Sequence, residues 1–336
     1  MRKLLLHALQ CGDFRVDPRF NYLSAGFEVD LDLVIKEHVM PRLNLNMEMI
    51  GKCGTSNTSL SAPSTSATLI LTNEDICGLS WFLLKDKVYF DELVDLSTQI
   101  VEERFSGHAK KHGVYIAACY YKRVGNKNYN VTSIFSPGGQ IVGEYRKTHV
   151  PPNEMWHLAD GDVLNVIELE FGKIGVLICF DMMFPEAASV LAMSGAEIIL
   201  HPTAGYGWYD SIGESTLRTR ANDNSVYVVT AKNYKFNAAG KSSIIDPWGQ
   251  VLADAGFYEN VIASKEIDLD IPKTQPGWFY STQMSGIAEI RQRTPYERRP
   301  ELYSNLSIPA ERLRVPDENE RAVLREKVRK EQCSWD

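Results

Sequence analysis

Cys179 stands in the stretch GKIGVLICFDMMFPE, which begins at Gly172. A thiol that ends an apolar strand is ordinarily a core residue, because free cysteine is among the most buried residue types. Two further polar groups occupy comparable positions: ATLILTNE ends in Glu74, and GEYRK ends in Lys147. Taken singly, each has an ordinary structural reading, Lys147 as a surface lysine and Glu74 as a loop or helix-start carboxylate. Ligand sites in α/β sheets gather just outside the carboxyl ends of strands, however. A thiol that attacks an unactivated amide needs three kinds of help. A base must take its proton, since a free pKa of about 8.5 leaves little thiolate. A cation or amide donors must hold the oxyanion. An acid must protonate the leaving amine. Glutamate, lysine and the backbone N–H after the cysteine can supply all three.

Other constellations carry less. His108 and His112 have the i, i+4 spacing of a two-histidine metal face, but no HExxH pattern surrounds them and lysines crowd that helix end. They read as a solvated helix end, and no metal is expected. No GxSxG elbow supports a serine nucleophile. A cysteine–histidine pair would join Cys179 to His149 or His201. Neither a Walker nor a Rossmann glycine loop is present, and there is no internal repeat.

The elements that must carry these groups follow from apolar patterning. Lys3 to Gln10 reads as a buried strand, and residues 29–49 as a helix that Pro41 breaks or kinks. A Ser/Thr-rich loop at 54–66 precedes a strand from Ala67. A long helix from Phe90 to His112 stops at Gly113. Strands start at Val114, Asn130 and Ile141, with a turn at 137–139 between the last two. Two more start at Val163 and Lys173. A helix over Pro185 to Met193, a strand from Ala196 and a helix over Ser211 to Asn224 come next, then three strands. With no clean linker, this predicts one α/β domain over 1–291, a mixed sheet covered by helices. Residues 292–336 read as a C-terminal arm with a charged helix from about Asp317 to Lys330.

The bulk numbers narrow the function class. The chain has 336 residues, 44 % hydrophobic and 24 % charged, and a formal charge of −7, which speaks against a nucleic-acid footprint. No run reaches the ~18–20 apolar residues of a membrane span, and the N-terminal apolar run is too short for a signal peptide. The six cysteines are dispersed without a CxxC pair. Reduced thiols and a cytoplasmic setting are expected.

Four separated blocks, EYRKTHVPPNE, GKIGVLICFDMMFPE, RTRANDNSVYVVTAKN and SSIIDPWGQVLAD, occur here in the order found in the carbon–nitrogen hydrolase family, or nitrilase superfamily, which the chain resembles over nearly its whole length. The resemblance implies a four-layer α-β-β-α sandwich with two mixed six-stranded sheets, a homodimer or larger homo-oligomer, and no cofactor. It makes Cys179 the nucleophile, Lys147 the oxyanion-stabilising cation and Glu74 the general base and acid. Glu154 matches a second carboxylate beside the lysine, and the Phe180 N–H would complete the oxyanion hole. The family usually has proline before the first glutamate; here it is Asn73, and Asp75 is a rival for the role of Glu74.

True nitrilases of the family usually follow the cysteine with Trp-Glu. Here Phe180-Asp181 follows, which looks like the amidase and carbamoylase branches. Met182-Met183 stands where carbamoylases tend to place arginines, so either the substrate lacks a carboxylate there or another arginine holds it, with Arg218 and Arg220 as candidates. Met183, Tyr206 and Trp208 are candidate pocket residues. The expected activity is thiol-dependent cleavage of a small-molecule amide or N-carbamoyl compound. The alternatives are nitrile hydrolysis by the same triad and a non-catalytic ligand-binding or scaffold role.

Overall fold

The computed structural model describes residues 2–12, 30–56, 67–83, 85–204, 210–234, 241–271 and 298–308, together with 319, 320 and 323. Six strands form a first sheet: β1 (Lys3–Gln10), β2 (Ala67–Leu71), β3 (Tyr115–Val124), β4 (Lys127–Phe135), β5 (Ile141–Arg146) and β12 (Val261–Asp268). Six more form a second: β6 (Val166–Leu169), β7 (Gly172–Val176), β8 (Ile198–Thr203), β9 (Tyr227–Lys232), β10 (Ser243–Ile245) and β11 (Val251–Asp254). The first sheet runs β12-β1-β2-β3-β4-β5 and the second β6-β7-β8-β9-β10-β11. Each has an antiparallel edge pair, then two parallel pairs, then two antiparallel pairs.

The strands read as continuous apolar runs because both faces of each sheet are covered. Side chains alternate between the two faces. From the first sheet, Leu4, Leu6, Ala8, Leu69, Leu71, Tyr115, Ala117 and Cys119 point into a core shared with Ile174, Val176, Ile178, Ile198, Leu200 and Val229 of the second. The intervening residues Leu9, Ile70, Ile116 and Ala118 face outward onto helices. Each fully buried aliphatic side chain contributes about 1.5–3 kcal/mol. The outer layer on the first sheet is α1 (Leu31–Val34), a π turn over Ile35–Val39, α2 (Met40–Ser56) and α3 (Lys87–His112). On the second it is α4 (Pro185–Met193) and α5 (Asp210–Asn224). This is the expected four-layer sandwich, with a helix, a sheet, a sheet and a helix stacked in turn.

Some boundaries differ from expectation. The first helix passes through Pro41 instead of breaking there, and a π turn lies directly before it. Proline has no N–H to give and its ring crowds the preceding turn, and the widened turn takes up both. The long helix starts at Lys87 rather than Phe90, because Asp86 accepts the Val88 N–H at 2.8 Å and caps it. It ends as expected at Gly113, whose φ of +65° closes the helix. The strand expected from Val163 begins only at Val166. Residues 298–308 hold two exposed 3-10 turns, and most of the charged helix expected near the C-terminus lies outside the described residues.

Candidate active site

β2, β5, β7 and β8 end on the same side of the two-sheet stack, and the polar groups singled out in the sequence sit just beyond those ends. Glu74 lies three residues past β2, where the chain leaves the sheet through a tight turn. Lys147 follows β5 directly, and its backbone N–H stays tied to the Asn130 carbonyl of β4 at 2.9 Å. Cys179 lies beyond β7, three residues past its last residue, in a 3-10 turn over Cys179–Met183 rather than in the strand itself. Its φ of +46° is left-handed. A non-glycine residue held there costs of order 1–3 kcal/mol, a strain that clusters at functional sites.

The three side chains converge. Lys147 Nζ donates to Glu74 Oε1 at 2.8 Å and to Glu154 Oε2 at 2.9 Å. Asn130 Nδ2 donates to the same Glu74 oxygen at 2.9 Å, and the Ala204 N–H reaches Glu74 Oε2 at 2.8 Å. The Cys179 thiol lies beside Glu74 and Thr203, close enough for both to act on its ionisation. Lys147 is completely buried and Glu74 nearly so. Of the five described cysteines, Cys179 alone is half-buried rather than buried.

The charges explain one another. Burial alone would raise the Glu74 carboxyl, but the Lys147 ammonium and the Ala204 N–H outweigh it and hold Glu74 below the ordinary carboxylate range. Burial would likewise lower Lys147, and the two carboxylates reverse it, keeping the ammonium charged. Glu154 has the same lysine, yet burial and the nearby Glu74 charge push it up to about 7. The Cys179 thiol is raised by burial and by Glu74, so at rest it is a thiol with a carboxylate beside it. A base in contact is then the way to a thiolate.

Asp75, the rival for the role of Glu74, is occupied elsewhere. Its two oxygens accept the Leu79 and Ser80 N–H groups at 2.9 and 2.7 Å, which fixes the turn after Glu74. The histidines of the alternative cysteine–histidine pair do not bond the thiol in the described contacts. His201 donates Nε2–H to the Cys179 carbonyl at 3.2 Å and takes the Thr230 hydroxyl on Nδ1 at 3.0 Å. Burial lowers it to about 4, so it is neutral at pH 7. His149 is held by Asp181 and stacked on Phe184 at 4.0 Å between centroids.

Met183 is exposed, at the end of the cysteine's own turn. Tyr206 and Trp208 lie outside the described residues. Arg218 lies on α5 and donates to the Gly249 carbonyl at 2.7 Å. Among the described residues no cluster of three or more His, Cys, Asp or Glu side chains could hold a metal ion, and no described helix is long and apolar enough to cross a membrane. Sequence reasoning missed Asn130, Thr203 and the Ala204 N–H, which sit in ordinary strand and loop contexts and become visible only once two sheets are stacked.

Known proteins show which family this chain is similar to. A sequence model of the family described as carbon-nitrogen hydrolase matches residues 76–271, starting two residues beyond Glu74. The omega-amidase NIT2 of Danio rerio is 32 % identical over 244 residues, covering 66 % of this chain and 79 % of the relative. A nitrilase of Pyrococcus abyssi is 38 % identical over 168 residues, covering 48 % of this chain and 62 % of the relative. Among solved structures, a mutant of the Nesterenkonia AN1 amidase from the nitrilase superfamily aligns with a TM-score of 0.65 at 19 % identity, over 90 % of this chain and 97 % of that one.

Proposed function

The chain belongs to the carbon–nitrogen hydrolase family and is a hydrolase of carbon–nitrogen bonds other than peptide bonds, and on that premise we propose that it cleaves a small-molecule amide or N-carbamoyl compound through a thioester on Cys179. The observation that carries this reading is one carboxylate, Glu74, bonded to a buried ammonium and lying beside the thiol of Cys179, the one described cysteine that is not fully buried. The omega-amidase relatives favour the amide.

Glu74 takes the thiol proton as sulfur bonds to the substrate carbonyl carbon. The oxygen becomes an oxyanion beside the Lys147 ammonium. Phe180 lies in the first turn of its 3-10 segment, where a helix leaves N–H groups without internal acceptors, and its N–H is the second oxyanion donor. As the intermediate collapses, Glu74 returns its proton to the nitrogen, the C–N bond breaks, and ammonia or an amine leaves. Water then attacks the thioester while Glu74 takes a proton from it. The acid departs and the thiol is restored. Glu154 shares the lysine and holds its ammonium over the oxyanion position.

Ammonia release from a panel of amides, N-carbamoyl compounds and nitriles tests the reading. Cys179→Ala is expected to remove turnover, by a factor of at least about 10⁴ for loss of a nucleophile that acts with its base as a unit, while the fold persists. A trapped acyl adduct should map by mass spectrometry to Cys179; an adduct on Cys77 or Cys119 instead would refute the assignment, as would undiminished activity of the alanine variant.

A further inference from the structure

Two residues beyond Cys179, the Asp181 carboxylate is fully buried and accepts five hydrogen bonds. Tyr145 Oη–H and the Ile178 N–H donate to Oδ2 at 2.8 and 2.9 Å. The His149 N–H, His149 Nδ1–H and Thr148 Oγ1–H reach Oδ1 at 2.8, 2.9 and 3.1 Å. A carboxylate that merely capped its own turn would need only the Ile178 N–H. Four of the five donors come instead from residues 145–149, more than thirty positions away in sequence, and they flank Lys147 on both sides. Burying an anion this completely is unfavourable unless every lone pair is satisfied, and here the satisfying groups belong to the segment that carries the lysine.

We propose that Asp181 is a positioning residue that locks the Lys147 segment to the Cys179 turn, so that the ammonium and the thiol are presented to one carbonyl together. The proposal rests on the roles given above to Cys179 and Lys147. Among the described residues β5 is an edge strand of the first sheet, and Lys147 leaves it directly. The cysteine turn belongs to the second sheet and is held in a left-handed conformation. Asp181 Oδ2 bridges the two, touching a residue two before the lysine and a residue one before the cysteine.

Asp181→Asn keeps the volume but turns an NH₂ toward donors, so the hydrogen bonds to one oxygen are lost. With the amide turned over fastest in the panel, kcat is expected to fall about 10²-fold, the loss typical of a misplacement near 1 Å, with KM changed by less than about threefold. Alkylation of Cys179 by iodoacetamide, followed by mass spectrometry, should slow in parallel. A purely structural role would lower the melting temperature and leave kcat, measured well below it, unchanged; kcat within about twofold of wild type in folded Asp181→Asn overturns the proposal. If that variant does not fold, Tyr145→Phe removes one donor with little change of shape. It should lose about tenfold in kcat, and full activity would be equally fatal. An active Asp181→Asn beside an inactive Cys179→Ala refutes the positioning role alone, whereas an active Cys179→Ala refutes the reading beneath it.

Discussion

Lys147 is buried and still charged because two carboxylates share it, and those two are not equivalent. Glu74 receives two further donors, Asn130 and the Ala204 N–H, and stays ionised. Glu154, with the lysine but near the Glu74 charge, is raised by burial to about 7. A raised carboxyl is protonated below its folded pKa, so near neutrality Glu154 changes the charge around the ammonium. The pH profile of kcat/KM is therefore expected to carry an ionisation near 7 that Glu154→Gln removes; a profile unchanged by the substitution would show that Glu154 does not titrate there. Residue identity was legible at this scale, since a thiol, an ammonium and two carboxylates can be read off three stretches, ATLILTNE, EYRKTHVPPNE and GKIGVLICFDMMFPE. Their protonation states were not, because those depend on neighbours such as Asn130 that no local pattern marks.

The turn after Glu74 is held from behind by the first helix. The π turn over Ile35–Val39 places His38, whose Nε2 meets the Gly78 carbonyl at 2.9 Å, and Arg42 packs beside it. Gly78 has φ +71°, and a Cβ there would come within 2.5 Å of Arg42 Nε and 2.8 Å of His38 Nε2. Gly78→Ala is expected to cost roughly 1–3 kcal/mol in urea denaturation, from backbone strain plus the clash. It should also reduce turnover by shifting the turn that carries Glu74; an unaltered midpoint and rate would contradict this account. Apolar spacing revealed the helix but not how it passes Pro41, because a π turn leaves no periodic signature over five residues. Asp86 was an available signal for the start of α3, overlooked because the apolar pattern strengthens only from Phe90.

Across the whole molecule, the two sheets share one pattern of strand pairing although the sequence shows no repeat. Continuous apolar runs indicate strands covered on both faces, but not whether the cover is a helix or a second sheet; the family blocks, not periodicity, pointed to two sheets. The site draws on both, with Glu74 and Lys147 from the first and Cys179, Thr203 and Ala204 from the second. Burial also sets the acid response of the whole fold. His7, His38 and His201 are lowered, chiefly by desolvation, to about 4, 3 and 4. In the unfolded chain they would bind protons near 6.5, so their stabilising effect is present above that pH and is lost as pH falls toward their folded values. Asp75, raised by burial to about 6, and Glu154, near 7, act with the opposite sign, gaining stability as pH falls through those values. Glu74, held low, stabilises the fold above the ordinary carboxylate range and loses that contribution as pH falls below it. Three groups oppose two, so thermal stability is expected to change little between about pH 7 and 6 and to drop steeply between about 5 and 4. A melting temperature that stays flat down to pH 4 would contradict the burial of these histidines as neutral groups.

β12 lies at the outer edge of the first sheet, paired along all eight residues of β1 from Lys3↔Asp268 to Gln10↔Val261. A ribosome delivers the two partners more than 250 positions apart in sequence. During synthesis, β1 through β5 emerge with one flank of β1 bare, and a bare strand flank is a template for pairing with another chain. The partner that covers it arrives after the entire second sheet. Completion of the first sheet is thus a late event, since it waits on a strand that follows the whole of the second sheet.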